Sequence, residues 1–284
     1  MNSDSSSHLT YKVGKYEIQS HIGSGSFGTV YKALDTESSE SVAIKFAFDN
    51  RPDILAKLSE GFEKEFQIAS SLKDSPHILN MWEFSSISGE NLPNESVIQN
   101  ALSCSNINFP HPIEECPADS NETVNLSLRI PYVVSEYCND GNLEDYLKTN
   151  PDIRKKSHQN ATEIVKIFKE ICLGIKALHT SEKPQIHRDL KPQNILITSN
   201  KKARCKLADF GLTTETSFGI ADGSSVAMGA GTGKWYSPEQ NPVNHKAGTA
   251  IPELTVHSDI YTLGLILCWL FDENTQTHNP KKTE

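Results

Sequence analysis

Ile186-His187-Arg188-Asp189-Leu190-Lys191-Pro192-Gln193-Asn194, followed fifteen residues after Asn194 by Asp209-Phe210-Gly211, is the stretch on which the reading of this 284-residue chain turns. Moving a phosphoryl group needs a residue that orients the attacking hydroxyl, positive charge around the phosphates, and hard oxygen ligands for the cations. Asp189 suits the first task. Asn194 and Asp209 offer oxygen ligands suited to Mg²⁺, and Lys191 brings positive charge to the transferring group. An Asp and an Asn that merely cap turns would account for either motif alone, but not for both in this order.

Working outward, Gly23-Ser24-Gly25-Ser26-Phe27-Gly28-Thr29-Val30 lies between two strand-like segments. Three glycines at this spacing let backbone amides approach phosphate oxygens with no Cβ in the way. The spacing also marks dinucleotide sites, where it opens a helix. Here Thr29–Ala33 continues as a strand, so that reading loses, and a structural hairpin remains the competitor for the loop taken alone. Seventeen residues beyond Gly28, Val42-Ala43-Ile44-Lys45 alternates so that Ala43 and Lys45 share a strand face. Ala leaves room for a planar base and the ammonium reaches phosphates, whereas an edge-strand surface Lys is the plainer alternative. A helix expected over Ser59–Lys73 offers Glu65 as a partner for Lys45. Glu65 is preferred to Glu63 because it shares a side with Ala69 and Leu72.

The rest of the chain organises around these motifs. Residues 1–14 read as a polar, disordered tail. Tyr16–Ile22, Thr29–Leu34 and Ser41–Phe48 read as strands of an antiparallel meander. Residues from about Ser85 to Ser127 carry four prolines, six acidic residues and no Lys or Arg, and read as an inserted, largely disordered loop. Arg129–Cys138 reads as a strand. Asn160–Glu163 resembles a capping box opening a helix whose Ile164, Ile167, Phe168, Ile171, Ile175 and Leu178 form one apolar stripe. A strand-rich first half with one helix and a mainly helical second half predict a two-lobed α+β architecture.

Composition narrows the function classes. A formal net charge of −9 and a pI near 5.6 argue against non-specific nucleic-acid binding, which draws on a basic surface. Six scattered cysteines form no CxxC pair and no Cys/His cluster, which disfavours a zinc finger and fits reduced thiols in the cytosol. The Ser-rich start lacks the apolar core of a signal peptide, so the sequons at Asn94, Asn121 and Asn125 read as accidental. The longest apolar run, Ile260–Phe271, is too short to span a bilayer, so membrane insertion is not expected.

Taken together, these motifs resemble the eukaryotic-type protein kinase domain, over about Tyr16 to Phe271. The resemblance implies ATP and Mg²⁺ as cofactors and a protein substrate with a Ser/Thr acceptor. It implies that Ile22, Gly23, Ser24, Gly25, Ser26, Phe27, Gly28, Val30, Ala43 and Leu196 surround the nucleotide. Lys45 and Glu65 would form the ion pair of the active state. Glu136 to Cys138 would be the hinge that hydrogen-bonds adenine, with Ser135 as a small gatekeeper. Asp189 would be the catalytic base, and Asn194 and Asp209 the Mg²⁺ ligands. Lys191 two residues after the base, and Thr232 placed to hydrogen-bond Asp189 and Lys191, are serine/threonine-kinase features. Gly231–Glu239 resembles the end of the activation loop, with Trp235 where Tyr is usual and Ser237 where Ala is usual. Thr213, Thr214, Thr216, Ser217, Ser224 and Ser225 are candidate phosphorylation sites for pairing with Arg188. Asp259 resembles the buried acid that anchors the catalytic loop.

The resemblance divides the chain into an N-lobe at 15–138, holding the insert at 85–127, and a partial C-lobe at 139–284. It implies several further helices past the one that carries Asp259 and an Arg partner for Glu239, neither of which is found by Glu284; either a fragment or truncated product, or a partner covering the incomplete C-lobe, is therefore expected. The insert's position, His77–Trp82 and Tyr261–Ile266 are loosely similar to kinases of the translation initiation factor 2 alpha subunit. Two readings compete with a Mg-ATP-dependent protein kinase. One is a non-catalytic kinase-like binding module, against which Lys45, Asp189 and Asp209 are all present. The other is a small-molecule kinase, against which stands the peptide-type Gly231–Glu239 segment.

Overall fold

The computed structural model describes residues 11–25, 28–49, 51–88, 129–155, 157–199, 203–211, 213–215, 233–241 and 254–272. The expectations placed on residues 1–10 and 89–127 lie outside them. The described residues form two compact units, one drawn from 1–66 and 81–137, the other from 67–80 and 138–284. The division at Tyr137/Cys138 falls one residue from the expected lobe boundary. Residues 67–80 cluster with the second unit because Ile78 bridges Leu207 and Leu79 donates to the Leu207 carbonyl at 2.9 Å.

The first unit is a six-stranded antiparallel sheet. Its strands are β1 (Tyr11–Val13), β2 (Tyr16–Gly25), β3 (Gly28–Asp35), β4 (Ser41–Phe46), β5 (Met81–Ser88) and β6 (Arg129–Glu136), in the order β1-β2-β3-β4-β6-β5. The meander expected over the second, third and fourth strands is present as β2-β3-β4, and β6 then pairs between β4 and β5. Two boundaries also shift. Tyr11–Val13, expected within the disordered tail, pairs with Tyr16–Ile18 through a two-residue turn in which Gly14 takes φ +57°. Val13 and Tyr16 are thereby buried, which offsets the ordering of this segment. Ser85–Ser88, expected to begin the insert, continues β5 opposite Arg129–Tyr132.

Alternation gives the sheet two different faces. Val13, Tyr16, Tyr31, Ala33, Val42, Ile44, Phe46, Tyr132 and Val134 pack into one apolar cluster. Val133 and the adjoining Ala47 pack with Leu55 and Phe62 of helix α1, which runs Pro52–Ser71. α1 starts seven residues before the expected Ser59. Pro52 at its opening and Asp53 in its first turn are the N-terminal signals that mark the earlier start.

The second unit is mainly helical among its described residues. Helix α2 (Leu143–Thr149) is capped by Asn142, whose side-chain oxygen accepts the Asp145 N–H. Helix α3 (His158–His179) is capped by Ser157, which accepts the Asn160 N–H at 3.1 Å. The expected capping box at Asn160–Glu163 is therefore corrected by one turn. Asn160 lies inside the helix and its amide donates to the carbonyls of Asp152 and Lys155. The predicted stripe holds, with Ile164, Ile167, Ile171, Ile175 and Leu178 all buried and Phe168 partly so. Short strands β7 (Gln185–Ile186), β8 (Ile195–Ile197), β9 (Cys205–Leu207) and β10 (Thr214–Glu215) pair as β8-β9 and β7-β10. Helix α4 (Val256–Phe271) is capped by Thr255. No described helix is long and apolar enough to cross a membrane.

Candidate active site

In the first unit, antiparallel register places Val30 opposite Lys45 and Lys45 opposite Val133, while Lys32, Ala43, Ser135 and Met81 form the neighbouring row. Ala43 and Lys45 do share a face, the one away from the larger apolar cluster. The Lys45 ammonium lies 3.0 Å from Glu65 Oε2, and Glu65 is buried whereas Glu63 is exposed. The ammonium also sits 5.1 Å from the centre of the Phe62 ring. A buried carboxylate beside a partly exposed ammonium fixes the Lys where it presents positive charge.

Ile22, Gly23, Ser24 and Gly25 lie on β2 and Gly28 opens β3, with Gly25 directly opposite Gly28. Ser26 and Phe27 fall outside the described residues. Gly28 has φ +143°, and a Cβ there would stand 2.1 Å from the Phe46 carbonyl oxygen. Only glycine lets the strand turn back so close to β4. Ser135, the expected gatekeeper, is buried beside Ala43, and Glu136 ends the pairing opposite Val42.

In the second unit, β7 delivers Ile186 to the loop that carries Asp189. Asp189 is buried; its Oδ2 lies 2.7 Å from the Lys191 ammonium and accepts the Asn194 amide at 3.0 Å. The same Asn194 amide donates to the Asp189 carbonyl at 2.8 Å. With its nitrogen committed to Asp189, Asn194 turns its oxygen elsewhere. That oxygen and the Asp209 carboxylate form a hard donor set of the kind Mg²⁺ takes. The two are tied together, because Ala208 N–H donates to the Asn194 carbonyl at 2.9 Å. Burial pushes the Asp189 carboxyl above its ordinary value, the Lys191 ammonium opposes this, and Asp209 adds to it.

One residue of this loop, Arg188, and the candidate ligand Asp209 beyond β9 carry unusual backbone. Arg188 has φ +68° and Asp209 φ +65°. The left-handed region is tolerable for Asp but costly for Arg. Asp259 meets the cost at Arg188: its carboxylate accepts the N–H of His187 at 2.8 Å and of Arg188 at 3.0 Å, and its Oδ2 lies 2.7 Å from His179 Nε2. Gln240 Nε2 donates to the Arg188 carbonyl at 2.7 Å. The anchoring role expected of Asp259 is therefore present, while those of Gln240 and His179 carried no signal in local spacing. The Arg188 side chain is partly buried, which lowers its guanidinium pKa, with Asp259 acting in the opposite sense.

The remaining expectations divide plainly. Leu196 lies on β8 opposite Lys206 and bridges Asn142, and Cys138 is buried with its carbonyl accepting the Gly141 N–H. Thr232 lies outside the described residues, as do Thr216, Ser217, Ser224 and Ser225. Thr213 is fully buried, so a kinase cannot reach its hydroxyl in this fold. Ser258 donates to Glu239 at 2.5 Å, and Thr262 donates to the Trp235 carbonyl at 3.0 Å, joining the 233–241 segment to α4. Trp235 meets Trp269 edge to face at 5.8 Å. Burial pushes the Tyr236 phenol up to about 12, and Asp189 adds to the shift.

Residues 16–284 match the family model described as the protein kinase domain. Over 255 residues the chain is 26% identical to the interferon-induced, double-stranded RNA-activated protein kinase of Rattus norvegicus, covering 90% of this chain and 40% of that protein. A serine/threonine-protein kinase-like protein of Arabidopsis thaliana is 26% identical over 259 residues, covering 91% of this chain and 56% of its own length. The serine/threonine-protein kinase PrkC of Bacillus subtilis is 28% identical over 257 residues, 89% of this chain and 30% of that protein.

Proposed function

Because the chain belongs to the protein kinase domain family, as the match over residues 16–284 shows, we propose that it transfers the γ-phosphate of Mg-ATP to serine or threonine hydroxyls of a protein in the cytosol. The observation that carries this reading is the cluster in which Asp189 Oδ2 takes both the Lys191 ammonium and the Asn194 amide. It leaves Asp189 oriented to accept the proton of an attacking hydroxyl, with Lys191 beside it to stabilise charge on the transferred group. The serine/threonine-kinase names of the Arabidopsis and Bacillus relatives support the choice of acceptor.

Asn194 and Asp209 would hold Mg²⁺, which when bound neutralises phosphate charge. Lys45, braced by Glu65, would offer its ammonium to phosphate oxygens, and Gly23, Gly25 and Gly28 would offer backbone amides with no Cβ in the way. Ala43 and Ser135, small and adjacent, leave space for a planar base. Asp259 and Gln240 keep the Arg188 peptide in its unusual conformation, which sets the direction of the Asp189 side chain that follows it.

The test is direct. The chain is incubated with labelled Mg-ATP and a generic protein substrate, beside an Asp189→Asn variant; the alpha subunit of initiation factor 2 is added as a second substrate, on the strength of the sequence resemblance. Label on serine or threonine from the native chain only is the expected result. Equal background transfer from both refutes the enzymatic reading, and nucleotide binding without transfer identifies a kinase-like binding module instead.

A further inference from the structure

We infer that Glu170, on helix α3, is a positioning residue for the two candidate metal ligands, acting through the backbone of β9. The inference rests on the kinase reading for its consequence, though not for its geometry. Glu170 Oε2 accepts the backbone N–H of Arg204 at 2.7 Å and of Cys205 at 2.8 Å, so one carboxylate oxygen grips the start of β9. Four residues further along the same helix face, Gly174 allows β9 to approach. A Cβ at Gly174 would stand 2.8 Å from Leu207 Cγ and 3.0 Å from the His77 carbonyl oxygen.

β9 is held further along the same edge by hydrogen bonds of comparable directness. Leu207 N–H donates to the His77 carbonyl at 2.9 Å, and the Leu207 carbonyl accepts from Leu79 at 2.9 Å. In register, Cys205 faces Ile197 and Leu207 faces Ile195. The next residue, Ala208, donates to the Asn194 carbonyl, and the next again is Asp209 with φ +65°. The strand is only three residues long, so its own ladder is too short to fix where it begins. A charge-assisted grip on its first N–H and on the N–H just before it supplies that register. The chain of contacts runs from Glu170 to β9, from β9 to Ala208, and from there to both Asn194 and Asp209. Losing a contact made directly to a metal ligand characteristically weakens a metal site by about 10–100-fold, and loss of Glu170, which acts through a strand, should fall at or below the low end of that range.

The experiment compares the native chain with Glu170→Ala, Glu170→Gln and, as a control for stability alone, Leu147→Ala in the core of α2. Two readouts are taken: hydrogen exchange at the Ala208 amide, and the Mg²⁺ concentration giving half of the thermal stabilisation by ATP. Glu170→Ala should speed Ala208 exchange and raise the Mg²⁺ midpoint by up to about tenfold. Glu170→Gln, which retains an acceptor oxygen, should stay close to the native chain. Leu147→Ala should lower the melting temperature without moving the Mg²⁺ midpoint. Glu170→Asp, with the carboxylate drawn back by one methylene, carries the same test if the Ala chain does not fold. Native protection at Ala208 in Glu170→Ala, or equal Mg²⁺ shifts in Glu170→Ala and Leu147→Ala, overturns the inference. Failure of the native chain to respond to Mg-ATP refutes the kinase reading instead, while the Ala208 exchange still decides the positioning role.

Discussion

Asp259 accepts the backbone N–H of Arg188 at 3.0 Å, at a residue held at φ +68° immediately before Asp189. The other side of the same residue is fixed too, since the Arg188 carbonyl takes the Gln240 amide at 2.7 Å. Strain of about 1–3 kcal/mol at such a residue persists only where neighbours over-determine it.

Asp259→Ala removes the acceptor for two amides, so it is expected to cost about 2–6 kcal/mol, each orphaned buried donor being worth about 1–3. Denaturant unfolding measures this. Gln240→Ala strips the Arg188 carbonyl of its donor and the Ser237 N–H and hydroxyl of their acceptor, and should lower both stability and phosphate transfer.

Lys45→Met should lower phosphate transfer by about 100-fold or more, and Glu65→Gln by a smaller factor, because only the first removes the cation. Steady-state kinetics with varied ATP separates them. Unchanged turnover in Lys45→Met would remove the residue from the proposed chemistry.

Gly174→Ala tests packing against propensity. Helix propensity alone favours Ala by about 1 kcal/mol. The Cβ would press on Leu207 and on the His77 carbonyl, and such overpacking costs about 1–3 kcal/mol. Net destabilisation is expected, read as a lower melting temperature; a stabilised variant would show that β9 can give way.

Alkaline pH should weaken the first unit. The Glu83 carboxylate accepts the hydroxyls of Tyr16 at 2.8 Å and Tyr132 at 2.9 Å. Burial, then Glu83, raises Tyr16 above its ordinary 10.0; burial likewise raises Tyr132, with Glu83 adding to it and Ser85 opposing. The folded state therefore holds these protons more tightly than the unfolded chain. Their stabilisation is whole below pH 10 and falls as pH rises beyond it. Unfolding midpoints measured from pH 8 to pH 11 should decline above 10, and Tyr16→Phe should flatten that decline.

Much of the site was legible in the sequence because its chemistry sits in short, contiguous motifs. Lys45 and Glu65 were paired correctly from strand alternation and helix face, since both periods are fixed by backbone geometry. The α3 stripe was likewise readable. Boundaries were less so: α1 began two turns early, α3 took Ser157 rather than Asn160 as its cap, and Tyr11–Val13 joined the sheet. In each case several local signals competed, and burial or pairing with distant residues chose among them.

The opening stretch, Ile186–Asn194 with Asp209-Phe210-Gly211, determined by itself which family the chain resembles and which of its side chains are candidates for that family's chemistry. It did not determine how they are held. That Arg188 sits at φ +68° between Asp259 and Gln240, and that Glu170 grips the start of β9, were decided by the tertiary structure. The physical reason is separation along the chain. These partners lie up to about seventy residues apart, and each hydrogen bond depends on where whole helices and strands come to rest, which no local spacing encodes.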